Sequence, residues 1–188
     1  VPVVSVKRLE IPDVMLFEFR IFEDNRGFFT ELWKRGEYLA LGLPYDFVQV
    51  NLSHSRPNVV RGLHYQLKPS EQGKLVYVVK GRVFDVAVDV RRGSPWFGKW
   101  VGVELRPGQA LWVPPGFAHG FQAIEESWFL YLVTKEYDQA GERCVNWNDP
   151  VIGVKWPNTA GAILSDRDKA CPPLSQAEHN FEYTPITP

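Results

Sequence analysis

The stretch RGLHYQLKPSEQGKLV (61–76) puts Arg61, His64 and Lys74 close together between runs of strand-forming residues, in a chain with only four histidines. An imidazole can stay neutral near pH 7 and still take a proton. Fixed cations beside it can hold the negative charge that develops on an oxygen. Together these residue types suit removal of a proton from a carbon next to a carbonyl. A carboxylate behind the imidazole would fix its tautomer and strengthen it as a base. Asp85 and the acidic pair of LSDRDK (164–169), Asp166 and Asp168, could supply one. Tyr131 and Tyr137 could return a proton from the opposite side. The competing reading of His64 is a core histidine donating to a backbone carbonyl.

A second histidine, His119, lies in LWVPPGFAHGF (111–121), where a Pro-Pro-Gly turn delivers it to the start of a strand. Pro114 to His119 matches the second motif of the jelly-roll cupins, Pro-x-Gly-x-x-His. The first cupin motif needs His-x-His followed by Glu, and the chain has His64-Tyr65-Gln66 instead. A three- or four-ligand set of imidazole and carboxylate is not completed by this spacing. Lys74 offers a fixed positive charge in place of a metal ion.

Short strands must position these groups. Apolar runs on either side of Pro12-Asp13, within Val3 to Phe22, read as strand, turn, strand; DNRGFFTELW (24–33) opens on a turn. GEYLALGLP (36–44) is the one clear helix, ended by Gly42 and Pro44. FVQVNLSHS (47–55) alternates with a period of two, which marks a half-buried strand. KLVYVVKGRVFDVAVDVR (74–91) reads as two strands joined by a tight hairpin at Lys80-Gly81. Further strands are expected at 100–105, 110–114, 119–124 and 127–134, and after Asp149-Pro150 the chain becomes loop-rich with one short helix. Many short strands separated by Gly and Pro turns indicate an all-β sandwich or barrel. The expected fold is mainly β: a jelly-roll (cupin) barrel with N-terminal strands and a C-terminal appendage, one domain over residues 1–188. Gln49, Asn51, Arg61, His64, Lys74, Asp85, His119 and Tyr131 are polar residues on or beside these strands. Polar groups facing a barrel interior are costly unless they are hydrogen-bonded or line a wet cavity.

Composition narrows the partners. The net charge of −1 gives no global field toward nucleic acid or an acidic membrane. No apolar run reaches the roughly 18 residues of a membrane span, and VPVVSVKRLE lacks the pattern of a signal peptide. A cytoplasmic location is therefore expected, without nucleic-acid or membrane partners. Cys144 and Cys171 match no metal or redox spacing, and two reduced thiols are expected in preference to one disulfide.

RGLHYQ, QGKLVYVVKGRVFDVAVDVR, PPGFAHGF, FLYLVTKEY and ILSDRD, with DNRGFFTELW near the N-terminus, closely resemble the dTDP-4-dehydrorhamnose 3,5-epimerase family, cupin-type sugar-nucleotide epimerases. The resemblance runs from about Val3 to Leu174 in family order. It implies His64 as proton acceptor, Asp168 as the carboxylate that orients it, Lys74 beside the sugar oxyanion and Tyr131 as proton donor. It places nucleotide and pyrophosphate contacts on Arg26, Glu31, Gln49, Asn51, Arg61, His119 and Glu142. Arg167 stands where the family has a lysine, which keeps the charge and changes the donor geometry.

The resemblance further implies a homodimer whose N-terminal strands reach the partner's site, with Arg26 and Glu31 acting in trans. It implies a dTDP-sugar substrate and neither metal nor organic cofactor. The expected reaction is isomerisation of dTDP-4-keto-6-deoxy-D-glucose at C3 and C5 to dTDP-4-keto-L-rhamnose. Its rivals are epimerisation at one carbon only, a non-enzymatic sugar- or metal-binding cupin, and a ketoisomerase. Apart from the resemblance, Phe28, Phe29 and Trp33 read as packing residues, Asp85 and Asp89 as solvent-facing, and His54 and His179 as surface residues.

Overall fold

The computed structural model describes residues 3–43 and 46–185. The N-terminal strands β1 (Val3–Arg8) and β2 (Met15–Phe19) flank the Pro12-Asp13 turn, which Val14 closes by donating its N–H to the Ile11 carbonyl at 3.0 Å. A small hairpin follows, β3 (Phe22–Asp24) and β4 (Gly27–Phe29), turning at Asn25-Arg26. The helix expected at 36–44 is α1 (Arg35–Ala40), with Gly42 at a left-handed φ of 92° just beyond it. Pro44, expected to end it, lies outside the described residues.

The body comprises β5 (Gln49–Ser55), β6 (Val60–Gln66), β7 (Lys74–Lys80), β8 (Val83–Asp89), β9 (Arg91–Arg92), β10 (Trp100–Leu105), β11 (Gln109–Val113), β12 (Phe117–Ala123) and β13 (Ser127–Val133). The C-terminal segment adds β14 (Glu142–Cys144), α2 (Asp166–Lys169) and β15 (Phe181–Glu182).

The strands form a six-stranded antiparallel sheet, β1-β2-β11-β7-β13-β5, and a five-stranded one, β10-β8-β12-β6-β14. Val76, Val78, Leu111 and Phe129 of the first sheet pack against Val83, Ala87, Leu105 and Phe121 of the second. The fold is thus the expected jelly roll, with the sheets facing one another rather than closing into a barrel. A second cluster joins the C-terminal segment to the five-stranded sheet through Trp156, Leu174 and Phe181 against Leu63, Val86 and Val88.

Two expectations change here. Lys80-Gly81 is a turn, with Gly81 at φ 93°, but the strands on either side are not a hairpin pair. β7 stays in the six-stranded sheet and β8 enters the five-stranded one. Ser127 holds this corner: its Oγ accepts from the Arg82 N–H at 2.9 Å and donates to the Arg82 carbonyl at 3.1 Å. Turn chemistry signals a reversal without saying which sheet receives the returning strand.

Asp85 and Asp89, read as solvent-facing, are both 0% exposed, because β8 is an inner strand covered on both faces. Asp89 accepts two hydrogen bonds from the Arg91 guanidinium, at 3.1 and 2.8 Å, and one from the Arg91 N–H at 2.9 Å. Arg91 also bridges to Asp13 at 2.9 Å, tying the β1–β2 turn to the five-stranded sheet. Removing one partner of a buried pair leaves the other charge without compensation. Arg91→Met is therefore expected to destabilise the fold by about 3 kcal/mol in urea unfolding at neutral pH.

Candidate active site

β6 places Arg61, His64 and Gln66, and the geometry around His64 rests on two glycines. Gly62 has φ 127°, and a Cβ there would lie 2.7 Å from Gly120 Cα and from the His119 carbonyl oxygen. Only glycine lets β6 and β12 approach this closely, at an irregularity in their register between His119 and Phe121. The Gly62 N–H leaves the strand ladder and donates to Asp168 Oδ2 at 3.1 Å. His64 Nε2 bonds Asp168 Oδ1 at 2.7 Å. Burial alone would raise the Asp168 pKa, but the hydrogen bond and charge of His64, the Gly62 N–H and Arg167 outweigh it and hold the carboxyl below its ordinary value. An ionised Asp168 only accepts, so Nε2 carries the proton and donates, and Nδ1 keeps the lone pair.

Asp168 arrives on α2, capped by Ser165, whose Oγ accepts from the Asp168 N–H at 3.2 Å. Of the three candidate carboxylates, the structure selects Asp168. Asp166 is exposed, and Asp85 pairs with the other histidine: His119 Nε2 and Asp85 Oδ1 are 2.7 Å apart, both side chains buried. Two His-Asp pairs therefore stand on one sheet, with His64 and His119 opposite each other across β6 and β12.

The facing sheet supplies Lys74 and Tyr131. Lys74 opens β7 and is only 8% exposed. Desolvation pulls its pKa down to about 8, against the opposing charges of Asp85 and Glu142. Its Nζ lies 5.9 Å from the Tyr131 ring centre. Tyr131 is paired in register with Asn51 of β5. Burial raises the Tyr131 pKa, with the Asn51 hydrogen bond and the Arg61 charge pulling the other way. Gln49 and Asn51 point inward and are joined by a 2.9 Å bond from the Gln49 amide.

These groups line a cavity of about 260 Å³. At its mouth Tyr137 and Arg167 both donate to Glu142 Oε2, Arg167 at 2.6 Å, and Gln49 accepts from the Tyr137 N–H at 2.9 Å. Glu142 is held below its usual carboxylate range: burial would raise it, but the Tyr137 and Arg167 hydrogen bonds and the Arg167 and His64 charges prevail.

Other expected site residues stand apart. Arg61 is exposed and fixed by Ser55 Oγ at 3.0 Å and the His54 carbonyl at 2.9 Å, with its charge reaching Tyr131. Arg26 lies on the β3–β4 turn, 86% exposed at its side chain and paired with Asp24 at 2.6 Å. Neither Arg26 nor Glu31 lines the cavity of its own chain. Phe28 and Phe29, read as packing residues, are 69% and 64% exposed, because their hairpin projects from the sheets. Trp33 does pack, edge-on to Phe47 at 5.6 Å. His54 has a partner, Glu126, at 3.2 Å.

Gln66 and Gln72 also line the cavity and were not among the expected residues. Gln66 lies two positions from His64 on β6, so the period of a strand would have pointed to it, whereas Gln72 precedes β7 and carries no such signal. Gln66 accepts from the Asp138 N–H at 2.9 Å and donates to the Asp138 carbonyl at 2.9 Å, which holds the segment bearing Tyr137.

The thiols expected to be reduced form a disulfide, Cys144 to Cys171, with Cα atoms 5.6 Å apart. A separation of 27 residues carries no spacing signature, and the fold alone brings β14 to the end of α2. No group of three or more His, Cys, Asp or Glu able to hold a metal occurs among the described residues. No helix among them is long and apolar enough to cross a membrane.

The family model described as dTDP-4-dehydrorhamnose 3,5-epimerase matches residues 8–176. The dTDP-4-dehydrorhamnose 3,5-epimerase of Pseudomonas aeruginosa is 49% identical over 166 residues, covering 86% of this chain and 91% of that protein. The crystal structure of the enzyme of that name from Sulfolobus tokodaii superposes with a TM-score of 0.88 at 44% identity, covering 95% of this chain and 99% of that one. A dTDP-6-deoxy-D-glucose-3,5-epimerase from Legionella pneumophila, solved with dTDP-4-keto-L-rhamnose, has a TM-score of 0.88 at 41% identity, with 92% and 93% covered.

Lys74 provides a direct check on the electrostatics. A lysine with its pKa lowered to about 8 is a cation below that pH and neutral above it. Asp85 is its largest favourable charge, so Asp85→Asn is expected to move that titration to still lower pH. Proton–carbon NMR of labelled lysines across pH 6–11 reads both midpoints, with ordinary lysines near 10.4 as the internal reference.

Proposed function

The chain belongs to the dTDP-4-dehydrorhamnose 3,5-epimerase family, and from that premise we infer that it is an isomerase converting dTDP-4-keto-6-deoxy-D-glucose to dTDP-4-keto-L-rhamnose by enolisation on either side of the C4 ketone. One observation carries the assignment of roles: the base and the acid stand on opposite sheets. His64, held by Asp168 at 2.7 Å, belongs to the five-stranded sheet. Lys74 and Tyr131 belong to the six-stranded sheet. A flat enolate between them would lose its proton to one side and regain it from the other, which is inversion.

The C4 carbonyl makes the hydrogens at C3 and C5 acidic. His64 Nδ1 takes one, and the imidazolium that forms is stabilised by the Asp168 carboxylate. Charge collects on the C4 oxygen, where the Lys74 ammonium offsets it in a site that excludes much of the water. The Tyr131 hydroxyl then protonates the carbon from the facing sheet. The enzyme is reset by exchange with solvent, and the same cycle at the second carbon completes the product. Gln49, Asn51, Arg61, His119, Glu142 and Arg167 are assigned to the nucleotide and sugar, with Arg167 and Glu142 at the mouth where a pyrophosphate would lie. On this reading residues 1–188 act as one domain, supported by the return of Trp156, Leu174 and Phe181 to the core.

The exposed side of β5 supports a dimer. Gln49 and Asn51 face the cavity, while Val48, Val50 and Leu52 on the alternate side are 57%, 61% and 56% exposed. β5 is an edge strand, and such an apolar row on an edge calls for a cover. A second copy would cover it and could bring the projecting hairpin, with Arg26 and Phe28, to the partner's cavity. A nucleotide-sugar substrate supports the cytoplasmic location.

Proton NMR of dTDP-4-keto-6-deoxy-D-glucose with the protein in D₂O is expected to show deuterium entering at both C3 and C5. Entry at one carbon would indicate a single-position epimerase, and entry at neither would sink the enolisation reading. His64→Ala is expected to slow exchange by about 10³-fold. Tyr131→Phe is expected to harm inversion more than exchange, because proton removal needs only the base. A Val50→Asp/Leu52→Asp chain is expected to be monomeric by light scattering and to lose most of its turnover, since each cavity would lack the partner's hairpin.

A further inference from the structure

We propose that the Cys144–Cys171 disulfide is a positioning element for proton transfer, holding the Asp168 carboxylate at the His64 imidazole. The proposal rests on the reading of His64 as the base and Asp168 as its partner.

The helix that delivers Asp168 is docked on its N-terminal side, where Ile163 pairs with Asn58 and Val60 through backbone bonds of 3.1 and 2.9 Å, and at the carboxylate by the Gly62 N–H at 3.1 Å; its C-terminal side has fewer ties. α2 is four residues long, far below the length at which a helix is stable in isolation. Asp168 is its only buried residue, while Asp166, Arg167 and Lys169 are exposed. No apolar side chain of α2 holds it against the sheet. The one group it buries is a carboxylate, whose desolvation opposes docking. Ser165 caps the helix, and Arg167 reaches Glu142 from a largely exposed position. Neither these nor the Gly62 bond holds the end of α2 that runs on to Cys171.

The disulfide does hold it. Cys171 lies three residues beyond Asp168, and its N–H donates to the Asp168 carbonyl at 3.4 Å. Cys144 is the β14 residue paired in register with His64 on β6. One sulfur is therefore anchored beside the base and the other beside the acid. The path His64, Cys144, Cys171, Asp168 and back through the 2.7 Å hydrogen bond is a closed circuit with one covalent cross-link.

Two weaker ties act on the same turn. The Asn146 N–H donates to the Pro172 carbonyl at 2.8 Å, and the Asn146 amide to the Cys171 carbonyl at 3.3 Å. They hold the strand leaving α2 when the disulfide is open, so the reduced chain keeps its fold while the acid loses its fixed distance. Neither cysteine lines the cavity, so the cross-link acts on turnover and not on substrate affinity.

The test compares oxidised and reduced protein of unchanged sequence. A dithiol such as dithiothreitol supplies two electrons and two protons: the Sγ–Sγ bond breaks, two thiols form, and the reagent closes to its own cyclic disulfide. Thiol titration confirms the change from no free cysteine to two. Circular dichroism checks the fold, and turnover of dTDP-4-keto-6-deoxy-D-glucose is measured before and after. Reduction is expected to lower kcat roughly tenfold, in line with the cost of a misplaced catalytic group, and to leave KM within about threefold. In Asp168→Asn, which removes the charge that the clamp positions, the same reduction is expected to change kcat less than about twofold. The His64 Nε2 proton resonance, identified by its shift in Asp168→Asn, is expected to broaden on reduction.

Unchanged kcat with two titratable thiols would overturn the proposal, as would an equal loss in Asp168→Asn. Should the reduced chain unfold, Cys144→Ala/Cys171→Val, which refills the volume with apolar groups, takes its place with the same readouts. Unfolding of both would overturn the proposal in favour of a purely structural cross-link. Full activity of oxidised Asp168→Asn would instead sink the underlying assignment of Asp168.

Discussion

The hydrogen bond between His64 and Asp168 joins residues 104 apart in sequence, and much of the chain serves to make it. A histidine alone on an inner strand is an ordinary core residue. With an ionised carboxylate on one nitrogen it gains a defined tautomer, with a free lone pair on the other. That carboxylate cannot come from the sheet, where His64 is flanked by Leu63 and Tyr65 and faced by His119 and Cys144. It has to come from outside, and the segment after β14 brings it back. Trp156, Leu174 and Phe181 fasten this segment to the five-stranded sheet, and Ser165 caps the short helix that carries the carboxylate. The Gly62–Gly120 approach completes the arrangement by turning a backbone N–H toward the second oxygen of Asp168.

Opposite His64, the electrostatic problem is reversed. An ammonium buried as deeply as Lys74 is disfavoured by desolvation, and Asp85 and Glu142 only partly restore it. A lysine poised near pH 8 is still mostly charged at neutral pH, yet poorly hydrated. Such a cation interacts more strongly with a nascent oxyanion than a surface lysine does, because less solvent screens it. Asp85 bears the cost of this arrangement. It is fully buried, its pKa is raised by desolvation, and among the described residues one of its oxygens has no hydrogen-bond partner. Sharing Asp85 between His119 and the field of Lys74 links the two sheets electrically across the cavity floor.

How much of this was legible in the sequence follows the range of each interaction. Period-two runs and Gly or Pro turns gave the strand positions within a few residues, and His64, Lys74 and Tyr131 fall on them as expected. Asp168 was one of three carboxylates the residues allowed, and the family resemblance chose it. The structure supports that choice by giving Asp85 to His119 and leaving Asp166 in solvent. The turn at Gly81 was visible but its change of sheet was not, since a turn encodes reversal locally and sheet membership is settled by distant packing. The disulfide was missed for the same reason. Gln66 was legible and passed over, lying two residues from His64 on the same strand, while Gln72 sits in the irregular segment before β7.

β5 shows why a site and an interface can share one strand. In an edge strand of a two-layer fold, alternate side chains face the core and the solvent. Here the polar ones, Gln49 and Asn51, face inward and the apolar ones face out, the reverse of an ordinary half-buried strand. The inward set is tolerable because the space it faces is a cavity and because Gln49, Asn51, Tyr131 and Tyr137 satisfy one another. The outward set leaves an apolar row on an edge strand, the surface that the proposed dimer would cover. A change that improved β5 for an isolated subunit, apolar in and polar out, would remove the polar lining of the cavity and the cover of the edge in one step. On the proposed reading the inverted pattern is a compromise between two surfaces, of which a substrate would complete one and a second chain the other.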